Sequence, residues 1–225
     1  MQHPEFNTGV IKPMECVREA WALIKGDYWL LFAIWIVGVI LSSISLLIAA
    51  GALTCGIFYA YLRKIDGHEV KFDDLWKGMN WFLPGLILML IIAVPMFVVY
   101  GVIYVPIVLS AVMGSKLSQD ELIALLIGAF AVELVLVLVM VCIHTLLIFS
   151  FPLIVDRNLG ATKAITTSAR AVLKNLSGVA GLLGLNFLLA IAGYIALCIG
   201  IYFVIPIIIA ANVTAYRKVF PQLHQ

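Results

Sequence analysis

Glu133 has the strongest claim to chemistry in this sequence. It lies in AFAVELVLVLV, far from either end of an apolar run, where an ionised carboxylate costs several kcal/mol unless it is paired or hydrated. His144 follows on nearly the same helical face but about 16 Å further along the axis, so the two meet only through a chain of waters. The functional reading is a proton or ion relay, with Tyr100 and Tyr104 lining a hydrated cavity beside Glu133 and His144. The structural reading is a neutral carboxyl and an imidazole hydrogen-bonded to neighbouring helices, for which Asn186 and Asn212 are the candidate partners. The structural reading is preferred, because a single acid makes a poor pathway.

Other chemistry finds less support. The histidines, His3, His68, His144 and His224, form no HxxxH or HExxH, no glycine-rich phosphate loop follows a strand, and no serine sits in a GxSxG elbow. Cys16, Cys55, Cys142 and Cys198 lack ligand or disulfide spacing and read as small buried hydrophobes. Asp73 and Asp74 read as a helix cap rather than a metal site. Asp156-Arg157 is either a phosphate-binding corner or, preferably, an ion pair that fixes a loop. No catalytic, metal-binding or cofactor-binding residue is assigned, no cofactor is expected, and an enzyme is not.

The elements that must position these residues are membrane helices. Hydrophobic residues make up 64% of the chain and charged ones 12%, against roughly 45 to 50% and about 25% in soluble domains. A net charge of +2 is too small to suggest nucleic acid, and the cations flank apolar segments as juxtamembrane charges do. The start of the chain is polar, so no cleavable signal is expected and the first span is retained.

Residues 1–12 read as a flexible tail, and 13–225 as a single integral membrane domain. Pro13 suits the first turn of a helix with Met14, Val17, Ala20, Trp21 and Ile24 on one face. This helix, 13–26, is placed along the membrane surface, with Trp21, Tyr28 and Trp29 at headgroup depth. The uncharged stretch Tyr28 to Leu62 would be about 52 Å long as one helix, too long for one crossing, so it reads as a hairpin with legs 28–48 and 52–64, the second of which either spans fully or stops part-way. A second interfacial helix is expected at 72–80 and a third at 160–175. Further spans are expected at 82–110, kinked by Pro84, Pro95 and Pro106, and at 122–149, 177–198 and 201–216. The fold class is thus all-α, a polytopic helical membrane protein of about six transmembrane helices in three hairpins, with amphipathic interfacial helices.

An internal echo supports the plan. AWALIKG at 20–26 aligns with ARAVLKN at 169–175, LWKG at 75–78 is a shorter copy, and AYLRK at 60–64 matches AYRK at 215–218 with one gap. Orientation follows from charge: with the tails and the two long charged connections on one side, every lysine and arginine except Lys116 lies on that side. That side is the cytoplasmic one, both termini included. Arg157, Lys163, Arg170 and Lys174 are then candidate contacts for anionic lipid headgroups.

FPLIVDRNLGATKAITTSARAVLKN, followed by two apolar helices, and GIFYAYLRKIDGHEVKFDDLWKGMNWF earlier resemble the six-span bacterial inner-membrane families of unknown function related to the membrane domain of glycerophosphoryl diester phosphodiesterase. The resemblance runs from about Glu15 onward, on a P-L-x-x-D-R corner, an alanine-rich surface helix and an L-W-K-G segment. It implies a multi-pass protein of a bacterial inner membrane and brings no catalytic residues. The expected function is a non-catalytic membrane component, an accessory subunit, assembly factor or lipid-organising protein, whose partners are anionic lipids and either other membrane proteins or further copies of itself. The alternative is a small transporter or channel using Glu133.

Overall fold

The computed structural model describes residues 6–45, 48–113, 118–196 and 199–222. Among these it has nine α-helices, one 3₁₀ segment and no strand. The order is α1 (Pro13–Ile24), α2 (Tyr28–Ile44), α3 (Ala50–Ile65), the 3₁₀ segment Phe72–Trp81, α4 (Phe82–Met113), α5 (Gln119–Leu147), α6 (Ser150–Arg157), α7 (Ala161–Lys174), α8 (Leu176–Ile195) and α9 (Gly200–Val219).

Among the described residues four segments are long and apolar enough to cross a membrane, Phe72–Val102, Gln119–Arg157, Leu176–Ile195 and Gly200–Val219, and the set becomes five if α1 and α2, bent by 100°, count as one broken span. These helices are compatible with a multi-pass membrane protein, and the described chain is all-α as expected. The leg assigned to 52–64 is the short one. With 16 residues, α3 is about 24 Å long, below the ~30 Å hydrocarbon thickness. Its sequence, rich in glycine and alanine, suits burial against protein rather than lipid, and ten of its residues from Ala50 to Leu62 are buried.

The chain divides into two compact units, Met1–Leu88 with Leu146–Gln225, and Met89–Thr145. α4 and α5 have 32 and 29 residues, against 16 to 20 in α2, α3, α8 and α9. The second unit holds α4 from Met89 onward and α5 as far as Thr145, and their described side chains there are mostly exposed. Cys142, expected to be buried, is exposed there, whereas Cys16 and Cys55 are buried; Cys198 lies outside the described residues.

In the first unit α3 is the centre, packing on the 3₁₀ segment, α2, α6 and α9. Glycine makes the closest of these contacts. A Cβ on Gly56 would lie 1.9 Å from the Leu75 carbonyl oxygen, and one on Gly78 2.0 Å from the Ala52 carbonyl oxygen, so the two backbones touch with no side chain between them. This contact seats residues 72–81, read from sequence as an interfacial helix at 72–80, as a 3₁₀ segment with Asp74, Leu75 and Gly78 buried. Asp74 caps it, its Oδ2 accepting the Lys71 N–H at 2.8 Å.

The tail expected to be loose over 1–12 is docked from Phe6 onward. Asn7 N–H donates to the Val219 carbonyl at 2.8 Å, Gly9 N–H to Asn175 Oδ1 at 2.7 Å, and Asn175 Nδ2 to the Asn7 carbonyl at 3.0 Å. Backbone polar groups in this segment are thus satisfied by a side chain far along the chain, which no local pattern signals. Asn175→Ala removes the bonds to Gly9 and to the Asn7 carbonyl at a buried position and should destabilise by about 1–3 kcal/mol while opening residues 6–12 to protease. Unchanged resistance of the N-terminal segment in limited proteolysis would count against the docking.

Candidate functional site

Three helices end together, and their charges meet. α3, α6 and α9 carry their C-termini to one place, which concentrates the partial negative charge of unpaired carbonyls. Two aspartates add to it, Asp66 just past α3 and Asp156 in the last turn of α6. Arg217, in the last turn of α9, answers both. Its Nε and Nη2 donate to Asp66 Oδ1 and Oδ2 at 2.7 and 2.6 Å. Its Nη1 and Nη2 donate to Asp156 Oδ2 and Oδ1 at 2.9 and 2.7 Å. A planar guanidinium is the only side chain that can fork to two carboxylates in this way.

The knot extends on both sides. Tyr216 OH donates to Asp156 Oδ2 at 2.7 Å, and Arg157 Nε to the same oxygen at 3.0 Å. Arg157 Nη2 also reaches the Pro221 carbonyl, tying in the C-terminal segment. Below the charges, the Tyr216 ring stacks on Phe220 at 5.1 Å and tilts against Phe149 at 6.0 Å. The side chains of Asp66 and Arg217 are each 12% exposed, and that of Asp156 16%, so these ion pairs are screened far less than surface ones.

A cavity of about 250 Å³ opens beside the knot, lined by Tyr59, Arg63, Asp66, His68, Asp156 and Arg217 among others. Arg63 is engaged in its wall: Nη2 donates to the Glu69 carbonyl at 2.8 Å, and the guanidinium lies 5.8 Å from the Tyr59 ring centroid. Guanidiniums and carboxylates around the cavity therefore balance, and their hydrogen-bonding capacity is largely taken up within the protein. Such an arrangement locks helix ends together.

The same end shows why the short repeats matter. Tyr61 of AYLRK and Tyr216 of AYRK are both fully buried, and the lysine that closes each copy is ion-paired, Lys64 to Asp27 and Lys218 to Glu19 at 3.0 Å. Asp66, Tyr216 and Arg217 were not among the residues singled out from sequence. The available signal was the recurrence of charge at the ends of three apolar runs, at 63–66, 156–157 and 217–218.

Arg157, offered from sequence both as a headgroup contact and, preferably, as the ion-pair partner of Asp156, makes the ion pair: its side chain is 9% exposed and held by Asp156, which takes it off the set of headgroup candidates. Lys163, Arg170 and Lys174 are exposed on α7. The opposite face of that helix, Ala161, Ala164, Ser168, Ala171 and Val172, is buried. Ser168 staples it, accepting the Phe149 N–H at 3.2 Å and donating to the Leu146 carbonyl at 2.7 Å.

The intramembrane polar residues form separate pairs. Asn186 Nδ2 donates to Asn212 Oδ1 at 2.9 Å, so the two asparagines proposed as partners for Glu133 and His144 serve each other. His144 Nδ1 lies 3.1 Å from the Met140 carbonyl on its own helix. Tyr100 and Tyr104, both exposed, stack at 6.1 Å. Glu133 lies on the least exposed stripe of α5 with Ala129, Leu136 and Met140, and it makes no hydrogen bond or ion pair among the described residues. No family model, curated protein or solved structure matches this chain.

Proposed function

We propose that this protein is a non-catalytic component of a cytoplasmic membrane that holds anionic lipid headgroups on α7. The observation that carries the reading is the two-sidedness of α7: a face of small residues seated against the protein and an opposite face on which Lys163, Arg170 and Lys174 are exposed. A helix docked through small side chains lies close to the body of the protein, and its cations are left to face a partner of opposite sign. Juxtamembrane cations attract anionic headgroups.

The charge asymmetry of the sequence supports placing α7 and both termini on the cytoplasmic side. The hydrogen bond from Asn7 to Val219 supports a shared side for the two terminal segments. The sequence resemblance supports a bacterial inner membrane as the location.

Replacing Lys163, Arg170 and Lys174 together by glutamine should weaken association with anionic lipid by roughly 1 kcal/mol per charge. The measurement is the ratio of anionic to zwitterionic lipid retained by protein purified from mixed-lipid membranes. An unchanged ratio would remove the basis for this reading.

A further inference from the structure

The tight winding of the 3₁₀ segment sorts its side chains. At three residues per turn, residues three apart stand in line, so Phe72–Trp81 carries separate stripes. Leu75 and Gly78 form the stripe seated on α3, and both are buried. The close backbone contact of Gly78 with Ala52 and Gly56 fixes the rotation of the segment about its own axis. The neighbouring stripe is thereby held outward.

That outward stripe is Asp73, Trp76, Met79 and, one turn on, Phe82, the first residue of α4. All four are exposed, the last three at 47, 43 and 38%. Polarity falls along the axis: a carboxylate, then an amphipathic aromatic ring, then two apolar side chains. Leu83 and Ile87, also exposed, carry the surface onward. The 3₁₀ segment and α4 form one unbroken run, Phe72–Val102, that is long and apolar enough to cross a membrane. The remaining stripe holds Lys77 and Asn80, and Asn80 lines a concavity together with Asn158.

This order along one rod is the order of environments met on entering a bilayer. Charged groups stay in water, tryptophan settles at headgroup depth and apolar side chains lie among the acyl chains. We propose that Trp76, Met79 and Phe82 form a lipid-facing surface, with Trp76 at headgroup level and Met79 and Phe82 against the acyl chains of the same leaflet. The membrane boundary then crosses the 3₁₀ segment, which enters end-on, whereas its sequence pattern reads as a helix along the surface. One consequence concerns α3. Because Gly78 touches Ala52 near the start of α3, that helix is carried below the headgroups although it is too short to span, and its buried glycine and alanine face protein there.

Spin labelling of the full chain reads the occupant of this surface. Asp73→Cys, Trp76→Cys, Met79→Cys and Phe82→Cys are made singly with Cys142→Ser and Cys198→Ser, the buried Cys16 and Cys55 being left in place. Each labelled protein is reconstituted in vesicles of phosphatidylethanolamine and phosphatidylglycerol. Oxygen concentrates among acyl chains and a nickel chelate stays in water, so collisions with the two reagents tell lipid from water, and both from protein. At Met79→Cys and at Phe82→Cys the label should gain oxygen collisions and lose nickel collisions relative to Asp73→Cys, with Trp76→Cys between them. Nickel collisions at Met79 and Phe82 equal to those at Asp73 would place the stripe in water. Exclusion of both reagents would place it against protein, a second copy or another chain. Either result overturns the proposal. The surface uses no residue of α7, so these collision rates and the lipid ratio of the α7 variant fail independently.

Discussion

Alanine at Gly56 should abolish the folded protein. The added Cβ would sit 1.9 Å from the Leu75 carbonyl oxygen and 2.8 Å from its carbon, and both are backbone atoms with no rotamer to relieve the clash. The reciprocal contact, Gly78 on Ala52 and Gly56, means that the 3₁₀ segment cannot slide to make room. Relief requires unseating it from α3, which exposes Leu75 and Asp74. A change of that kind exceeds the 4–5 kcal/mol that marks exceptional substitutions and is comparable with the whole stability of a domain, about 5–15 kcal/mol. Gly184→Ala in α8 is the control, since a Cβ there meets nothing within 4 Å, and alanine is favoured over glycine in a helix by roughly 0.5–1 kcal/mol. Size-exclusion chromatography in detergent should show a monodisperse peak for the control and none for Gly56→Ala. A normal peak for both would mean that α3 and the 3₁₀ segment do not touch through their backbones.

Arg217→Ala should have the next largest effect. It leaves Asp66 without an ion-pair partner among the described residues and Asp156 with only Arg157 and Tyr216, in a region where the side chains of Asp66, Asp156 and Arg217 are 12 to 16% exposed. Removing one partner of a buried ion pair costs about 3–5 kcal/mol, because the charge left behind is desolvated and unpaired. Neutralising all four charged members should cost much less: Arg217→Met and Arg157→Gln with Asp66→Asn and Asp156→Asn leaves no orphan charge, and Tyr216 keeps an acceptor. Arg217→Lys should be intermediate, since an ammonium keeps the charge and loses the fork. Thermal unfolding in detergent across these variants provides the check. A shift for Arg217→Ala no larger than the ~0–1 kcal/mol of a surface pair would show that the knot is solvated and does not bind the helix ends together.

The glycine contact and the knot also mark the boundary between what was legible in the sequence and what was not. Helix positions were legible. The reading placed spans at 82–110, 177–198 and 201–216, and the helices run Phe82–Met113, Leu176–Ile195 and Gly200–Val219. Apolar composition and length carry that information residue by residue, and no distant contact is needed to express it. The amphipathic α7 was legible for the same reason; α1 was legible as a helix, but of the face expected for it Ala20 and Ile24 are buried while Met14 and Trp21 are exposed, and Cys16 is buried in their place.

Partnership was not legible. Gly56 looks like any glycine in an apolar run until Leu75 and Gly78 are brought against it. Asn175 reads as the end of a surface helix, yet it receives Gly9 and Asn7 across more than 160 positions. Arg157 and Arg217 carry the same charge beside the same kind of helix end as the cations of α7, and nothing local separates an arginine that ties helix ends together from one that stays exposed; the fold turns both inward. Hydropathy and charge are sums over local residues, so an all-helical chain for an apolar solvent, with its cations gathered at the ends of its helices, could be read from the sequence. Which aspartates one arginine bridges and which glycines let two backbones touch depends on distances between segments that local preference does not encode, and those pairings exist only in the folded chain.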